Sequence, residues 1–207
     1  MKEMSREKQG SFAGAVGIGT NILLFVIKLL AGLLSGSVAI MADAVNNLTD
    51  SGSSIIMLVG FRLSEKPADR EHPFGHARIE YLCGVIVSFI VLFLGLELGR
   101  TSFLKILSPE KAEFGPIALS VLVISILIKL WLCLFYTRVG KRIDSGSLLA
   151  TASDSRNDVI STGVVLLGAI ITRLTSLNLD GFLGLIVAAF IVISGVKLIM
   201  ETADPLL

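Results

Sequence analysis

The sequence is poor in the residues that mark most soluble catalytic or metal-binding domains. Its 207 residues include two histidines, two cysteines, five prolines and one tryptophan. Cys83 and Cys133 both lie inside apolar stretches. They read as small packing residues and leave no disulfide framework or Cys-rich zinc site. Charge is scarce too. Asp, Glu, Lys and Arg make up 17% of the chain, against about 25% in soluble domains. A formal net charge of +1 points to no nucleic-acid partner.

What the chain has in abundance is apolar sequence. Hydrophobic residues make up 53%, and the mean hydropathy is +0.82. They fall into blocks long enough to cross a hydrocarbon core, which takes about 20 residues of helix. Spans are predicted at 11–34, 38–62, 79–104, 115–138, 147–173 and 180–202. The runs are continuous rather than alternating, so they are helices and not barrel strands. The first block is too long for a signal-peptide core and lacks a clear cleavage site, so it is read as a retained span. The expected fold is therefore an all-α membrane protein with six transmembrane helices, forming one domain over residues 1–207. The chain closes at Pro205-Leu206-Leu207 soon after the last span, so no C-terminal soluble domain is expected.

The connections differ in character. Ser35-Gly36-Ser37 is a tight uncharged turn, residues 63–78 form a longer polar loop, and the 139–146 loop is basic. Lys2, Arg6, Lys8, Arg62, Lys66, Arg70, Arg78, Arg138, Lys141, Arg142 and Lys197 collect on one side. Arg100, Lys105, Lys111 and Arg173 collect on the other. The positive-inside rule then puts both termini in the cytoplasm. Lys28, Lys129 and Arg156 remain inside spans. Small residues four apart, Gly10/Gly14, Gly32/Gly36 and Gly184/Ala188, suit close helix packing.

Acids at mid-membrane need a reason, since each costs about 2.5–3.5 kcal/mol on insertion scales. The second span carries Asp43, Asn46, Asn47 and Asp50; the fifth carries Asp154, Asn157 and Asp158. Asn46 and Asp50 are four apart, as are Asp154 and Asp158, which puts each pair on one helix face. Asp43 shares the stripe of Asn46, one turn nearer the outside. If the two stripes face each other, Asn46, Asp50, Asp154 and Asp158 converge as four oxygen-bearing ligands for a divalent cation. Three carboxylates without a cation would carry a formal −3, which lipid does not tolerate. Burial and neighbouring like charge favour protonation of carboxyl groups, and metal ligands must be deprotonated to bind. Metal–proton exchange follows from that electrostatic logic.

The competing reading is that these acids pair with intramembrane bases or start helices. Arg156 lies two residues from both Asp154 and Asp158 and so points to another face. Lys28 or Lys129 is expected to neutralise one acid, hardly three. In the loop after the second span, Asp69, His72 and His76 have metal-ligand spacing for a second, cytoplasmic site. Loop histidines, however, are more often solvated or capping.

At this point the pattern resembles the cation diffusion facilitators. Three stretches carry the resemblance. They are Gly36-Ser37-Val38-Ala39-Ile40 leading into Ala42-Asp43-Ala44-Val45-Asn46-Asn47-Leu48-Thr49-Asp50, then His72-Pro73-Phe74-Gly75-His76-Ala77-Arg78-Ile79-Glu80, and Ala152-Ser153-Asp154-Ser155-Arg156-Asn157-Asp158-Val159. The resemblance implies a homodimer in the lipid bilayer that alternates between inward- and outward-open states. It implies export of a divalent metal from the cytoplasm in exchange for protons. It places the transport site on Asn46, Asp50, Asp154 and Asp158, and an interfacial site, not shared by all members, on Asp69, His72 and His76. Zinc-transporting relatives usually carry histidine at the position of Asp154, whereas this sequence has no histidine in any span. Most relatives continue into a C-terminal cytoplasmic domain, which is expected to be absent here.

An all-oxygen site suits harder cations, so the expected activity is Mn²⁺ (or Fe²⁺) export by proton antiport, with Zn²⁺ export as the alternative. The expected location is a bacterial plasma membrane. Asp43 would line an outer vestibule and draw the released ion outward, or else serve as a helix-start residue. No cofactor or enzymatic activity is expected. An intramembrane aspartyl protease also needs paired acids, but the Gly-x-Gly-Asp stretch of such enzymes is lacking, Asp180 following Asn178-Leu179. A metal channel would use the same acids as a selectivity ring.

Overall fold

The computed structural model describes residues 6–64, 77–108, 112–175 and 177–203. Six helices follow one another: α1 (Arg6–Ser35), α2 (Val38–Ser64), α3 (Ala77–Leu107), α4 (Pro116–Ile143), α5 (Gly146–Leu174) and α6 (Asp180–Ala203). No strand occurs among the described residues. Among them α1, α3, α4, α5 and α6 contain segments long and apolar enough to cross a membrane. In α2 the residues Asp43, Asn46, Asn47 and Asp50, followed by Ser51, lower the hydropathy. Large apolar side chains such as Leu34, Phe93, Ile117 and Leu174 stand exposed on the outer faces, as lipid-facing surface does. The chain is a multi-pass integral membrane protein.

The turns explain how neighbouring helices fold back. Gly36 has φ +63°, a conformation open to glycine because it lacks a Cβ. The Ser37 N–H donates to Gly32 O at 2.9 Å and the Gly36 N–H to Leu33 O at 3.4 Å, closing α1 with the paired bonds of a Schellman motif. Ser37 then starts α2, its Oγ accepting from the Ile40 N–H at 3.1 Å, a serine N-cap. Of the two glycines spaced four apart here, only Gly32 serves packing, a Cβ there meeting Met41; Gly36 serves the turn. Pro116 begins α4, and Ser145 caps α5 by accepting from the Leu148 N–H.

The start of α2 is also tied to α3 and α6. The Asp180 carboxylate accepts from the Val38 N–H at 2.9 Å, the Ala39 N–H at 3.3 Å and the Ser37 hydroxyl. Lys105 pairs with the same carboxylate at 2.7 Å and also donates to Gly36 O. The acid sits where α2 exposes unpaired amide hydrogens and a positive dipole end.

α3 packs along α6, α4 along α5, and α1 along α2, with α2 also against α3 and α6. The main core gathers Ile40, Val91, Leu122, Val165, Ala169 and Ile191. A second cluster, Ala13, Leu132, Tyr136, Leu148 and Ala152, joins α1, α4 and α5. By contrast, α5 touches α2 and α6 only sparsely, and the candidate site lies in that gap.

Candidate metal site

Two contacts fix the register between α2 and α5. Thr162 Oγ1 donates to Asp43 at 3.0 Å, and Asn46 Nδ2 donates to Asp158 Oδ1 at 2.6 Å. The helices run antiparallel, so the same register sets Asp50 toward Asp154, one turn further along each. Both stripes predicted from i, i+4 spacing therefore face each other.

Between α2, α5 and α6 lies a cavity of about 790 Å³, lined at its polar wall by Asn46, Thr49, Asp50, Asp154, Asn157 and Asp158. All four residues proposed as ligands line it. The opposite wall is mainly apolar and comes from α6, with Phe190, Ser194 and Lys197 among its residues. Asp154 is exposed, whereas Asp158, one turn further along α5, is buried at 7% exposure.

The four side chains are not gathered into one ready cluster. Among the described residues, no three His, Cys, Asp or Glu side chains sit together as metal ligands. Asn46, Asp50 and Asp158 converge, while Asp154 stands a turn away on the same wall.

Lys129 of α4 reaches both acids, with Nζ 2.7 Å from Asp50 Oδ2 and 2.6 Å from Asp158 Oδ2. Its side chain is wholly buried, whereas those of Asp50 and Asp158 keep 24% and 10% exposure. Lys28 pairs with Asp43 at 2.8 Å. Lys129 thus touches two of the three cavity carboxylates and offsets one negative charge, as the sequence predicts, while Lys28 is taken up by Asp43. The formal charge of Asp50, Asp154 and Asp158 together with Lys129 is −2, not −3. The apolar setting of both lysines was visible in the sequence; their partners were not, because a long side chain reaches across helices in a direction spacing does not encode.

Asp43 is 1% exposed and does not line the cavity. Its carboxylate is held by Lys28 and Thr162, an arrangement that fits helix pairing rather than the lining of a vestibule. Asp69, His72 and His76 lie outside the described residues. Sequence reading also missed the Lys105–Asp180 clamp. The signal for it was an acid opening the sixth apolar block beside the Ser37 turn, but the link depends on three elements meeting in space.

Comparison with known proteins agrees with this architecture. The family model described as the cation efflux transmembrane domain matches residues 15–207. An uncharacterized transporter of Methanocaldococcus jannaschii is 33% identical over 171 residues, 83% of this chain and 60% of the relative. The manganese efflux system protein MneS of Bacillus subtilis is 34% identical over 158 residues, 76% of this chain and 54% of the relative. Metal tolerance protein C1 of Arabidopsis thaliana is 35% identical over 205 residues, 92% of this chain and 44% of the relative. The chain thus spans about half the length of these relatives. With one polar wall built by α2 and α5 and a family match over nearly its whole length, the chain belongs to the cation efflux family.

Proposed function

We propose that this chain is the transport domain of a proton-coupled exporter of divalent metal, with Mn²⁺ as the preferred ion. The observation that carries the reading is that Asn46, Asp50, Asp154 and Asp158 all line one cavity. Every donor there is oxygen, and both histidines of the sequence fall at 72 and 76, outside the apolar blocks. Hard oxygen donors favour Mn²⁺ and then Fe²⁺ over softer ions; Zn²⁺, which also binds carboxylates, is the second reading. The likeness to a manganese efflux protein supports that order.

In this mechanism the six helices all span the membrane, with both termini in the cytoplasm. The exposed carboxylate, Asp154, lies nearer than Asp158 to the end of Lys141 and Arg142, and the ion enters from that side, the cytoplasm. It binds the carboxylates in their deprotonated form. An alternating movement of the helices then exposes it to the other side, where at least one aspartate takes up a proton as the ion leaves. Two copies of the chain form the working unit in a bacterial plasma membrane, and Asp69, His72 and His76 form an accessory cytoplasmic site.

The test is metal uptake into liposomes loaded with a metal-sensitive dye, under an imposed pH gradient. Saturable Mn²⁺ flux that follows the gradient supports the reading. Selective Zn²⁺ flux would keep the site and overturn the ranking of metals. Flux that neither saturates nor responds to pH would favour a channel.

A further inference from the structure

Lys129 stands behind the candidate site rather than in its wall. It belongs to α4, is wholly buried, and is not among the residues lining the cavity. Yet its ammonium holds one oxygen of Asp50 at 2.7 Å and one of Asp158 at 2.6 Å. The other oxygen of Asp158 accepts from the Asn46 amide nitrogen at 2.6 Å. Three of the four proposed ligands are thus engaged by one another and by a cation of the protein itself.

A divalent ion needs the same lone pairs. A carboxylate–metal bond is about 2.0–2.2 Å long, so an ion bound by both aspartates would sit within a few ångströms of Nζ. At that distance in a low-dielectric interior, two cations repel strongly. Asn46 must turn as well, because an amide binds metal through Oδ1 and here presents Nδ2 to Asp158. Metal and ammonium therefore compete for one pair of carboxylates, the metal arriving from the cavity and the lysine from the bundle interior.

We infer that Lys129 is a tethered counter-cation of the transport site: an entering divalent metal displaces its ammonium from Asp50 and Asp158, and its return helps expel the ion. This rests on the transport-site reading above. Side-chain chemistry fits the role. Lysine suits the role because its ammonium is a compact charge on a flexible four-carbon stem, able to withdraw. Arginine would grip a carboxylate through two parallel hydrogen bonds.

Mn²⁺ binding to the full chain in lipid nanodiscs, measured by calorimetry, tests this together with flux in liposomes. Wild type, Asp158→Ala, Lys129→Met and Lys129→Arg are compared. Lys129→Met removes the competitor, so its Mn²⁺ dissociation constant is expected to fall about tenfold or more while turnover drops, because the bound ion is no longer displaced. Lys129→Arg keeps both ion pairs and should fold, with Mn²⁺ bound several-fold more weakly. A merely structural strut predicts the opposite pattern: Lys129→Met loses stability without a gain in affinity, and Lys129→Arg binds as wild type. Should Lys129→Met not fold, unchanged affinity in Lys129→Arg overturns the inference alone. Wild-type binding that survives Asp158→Ala unchanged overturns the transport-site reading, and this inference falls with it.

Discussion

Lys28 on α1 and Asp43 on α2 form an ion pair at 2.8 Å with side-chain exposures of 0% and 1%, and Thr162 of α5 joins it by hydrogen bonds to both. Three helices meet at this one point. Breaking a buried pair by removing one partner leaves an uncompensated charge and costs about 3–5 kcal/mol. Lys28→Met is therefore expected to lower the unfolding free energy by that amount. Lys28→Met combined with Asp43→Asn should recover much of it, since the amide that replaces the carboxylate is neutral and still accepts from Thr162. Denaturant unfolding in detergent checks both. If Asp43 pairs helices and does not line the ion's path, Asp43→Asn will leave Mn²⁺ binding unchanged in whatever folded protein remains.

Asp180 satisfies two amide hydrogens and a hydroxyl at the start of α2 while pairing with Lys105. Asp180→Ala removes the acceptor from all of them, and an unsatisfied buried donor costs about 1–3 kcal/mol. Hydrogen exchange at the Val38 and Ala39 amides should speed markedly in the variant, with the middle of α5 unaffected. Unchanged exchange at those two amides would show that the carboxylate does not cap α2.

Asp154 and Asp158 are four residues apart but differ in setting. Asp158 is buried and engaged by both Asn46 and Lys129, whereas Asp154 is exposed. Asp158→Asn should abolish Mn²⁺ binding. Asp154→Asn should weaken it by a smaller factor, about tenfold for one lost charged ligand contact of roughly 1.5 kcal/mol. Equal losses in calorimetry would mean that Asp154 joins the other three when metal binds, and that the separation seen here closes.

The α3–α6 contact depends on absent side chains. A Cβ on Gly195 would lie 3.2 Å from the Leu92 nitrogen and 3.3 Å from its Cα, so the backbone of α3 would have to give way. Gly195→Leu is expected to cost about 1–3 kcal/mol through overpacking. Gly19→Leu, at a position with nothing within 4 Å, should cost far less. Thermal melts of the two variants side by side measure the difference.

Helix boundaries were legible because lipid imposes its own length on each apolar block. The predicted 147–173 and 180–202 lie within a residue or so of α5 and α6, whereas α4 runs on to Ile143, five residues past the predicted 138. That last stretch carries Lys141 and Arg142, and polar residues continue a helix beyond the apolar zone without any hydropathy signal. The polar wall of the cavity was legible because i, i+4 spacing on two helices fixes two faces. Which partners those faces meet was not, since register between α2 and α5 is set by contacts such as Asn46–Asp158 that join positions 112 residues apart. For the same reason, Lys129 could be recognised as an intramembrane cation but not as the bridge between Asp50 and Asp158.

The central claim is that the ion crosses through the α2–α5 wall. The most direct test is pH-driven Mn²⁺ flux in liposomes for wild type, Asp50→Ala, Asp158→Ala and the double variant His72→Ala/His76→Ala. Flux lost in both aspartate variants and retained in the histidine variant is the predicted result. Flux that persists in Asp158→Ala but disappears with the two histidines would contradict it.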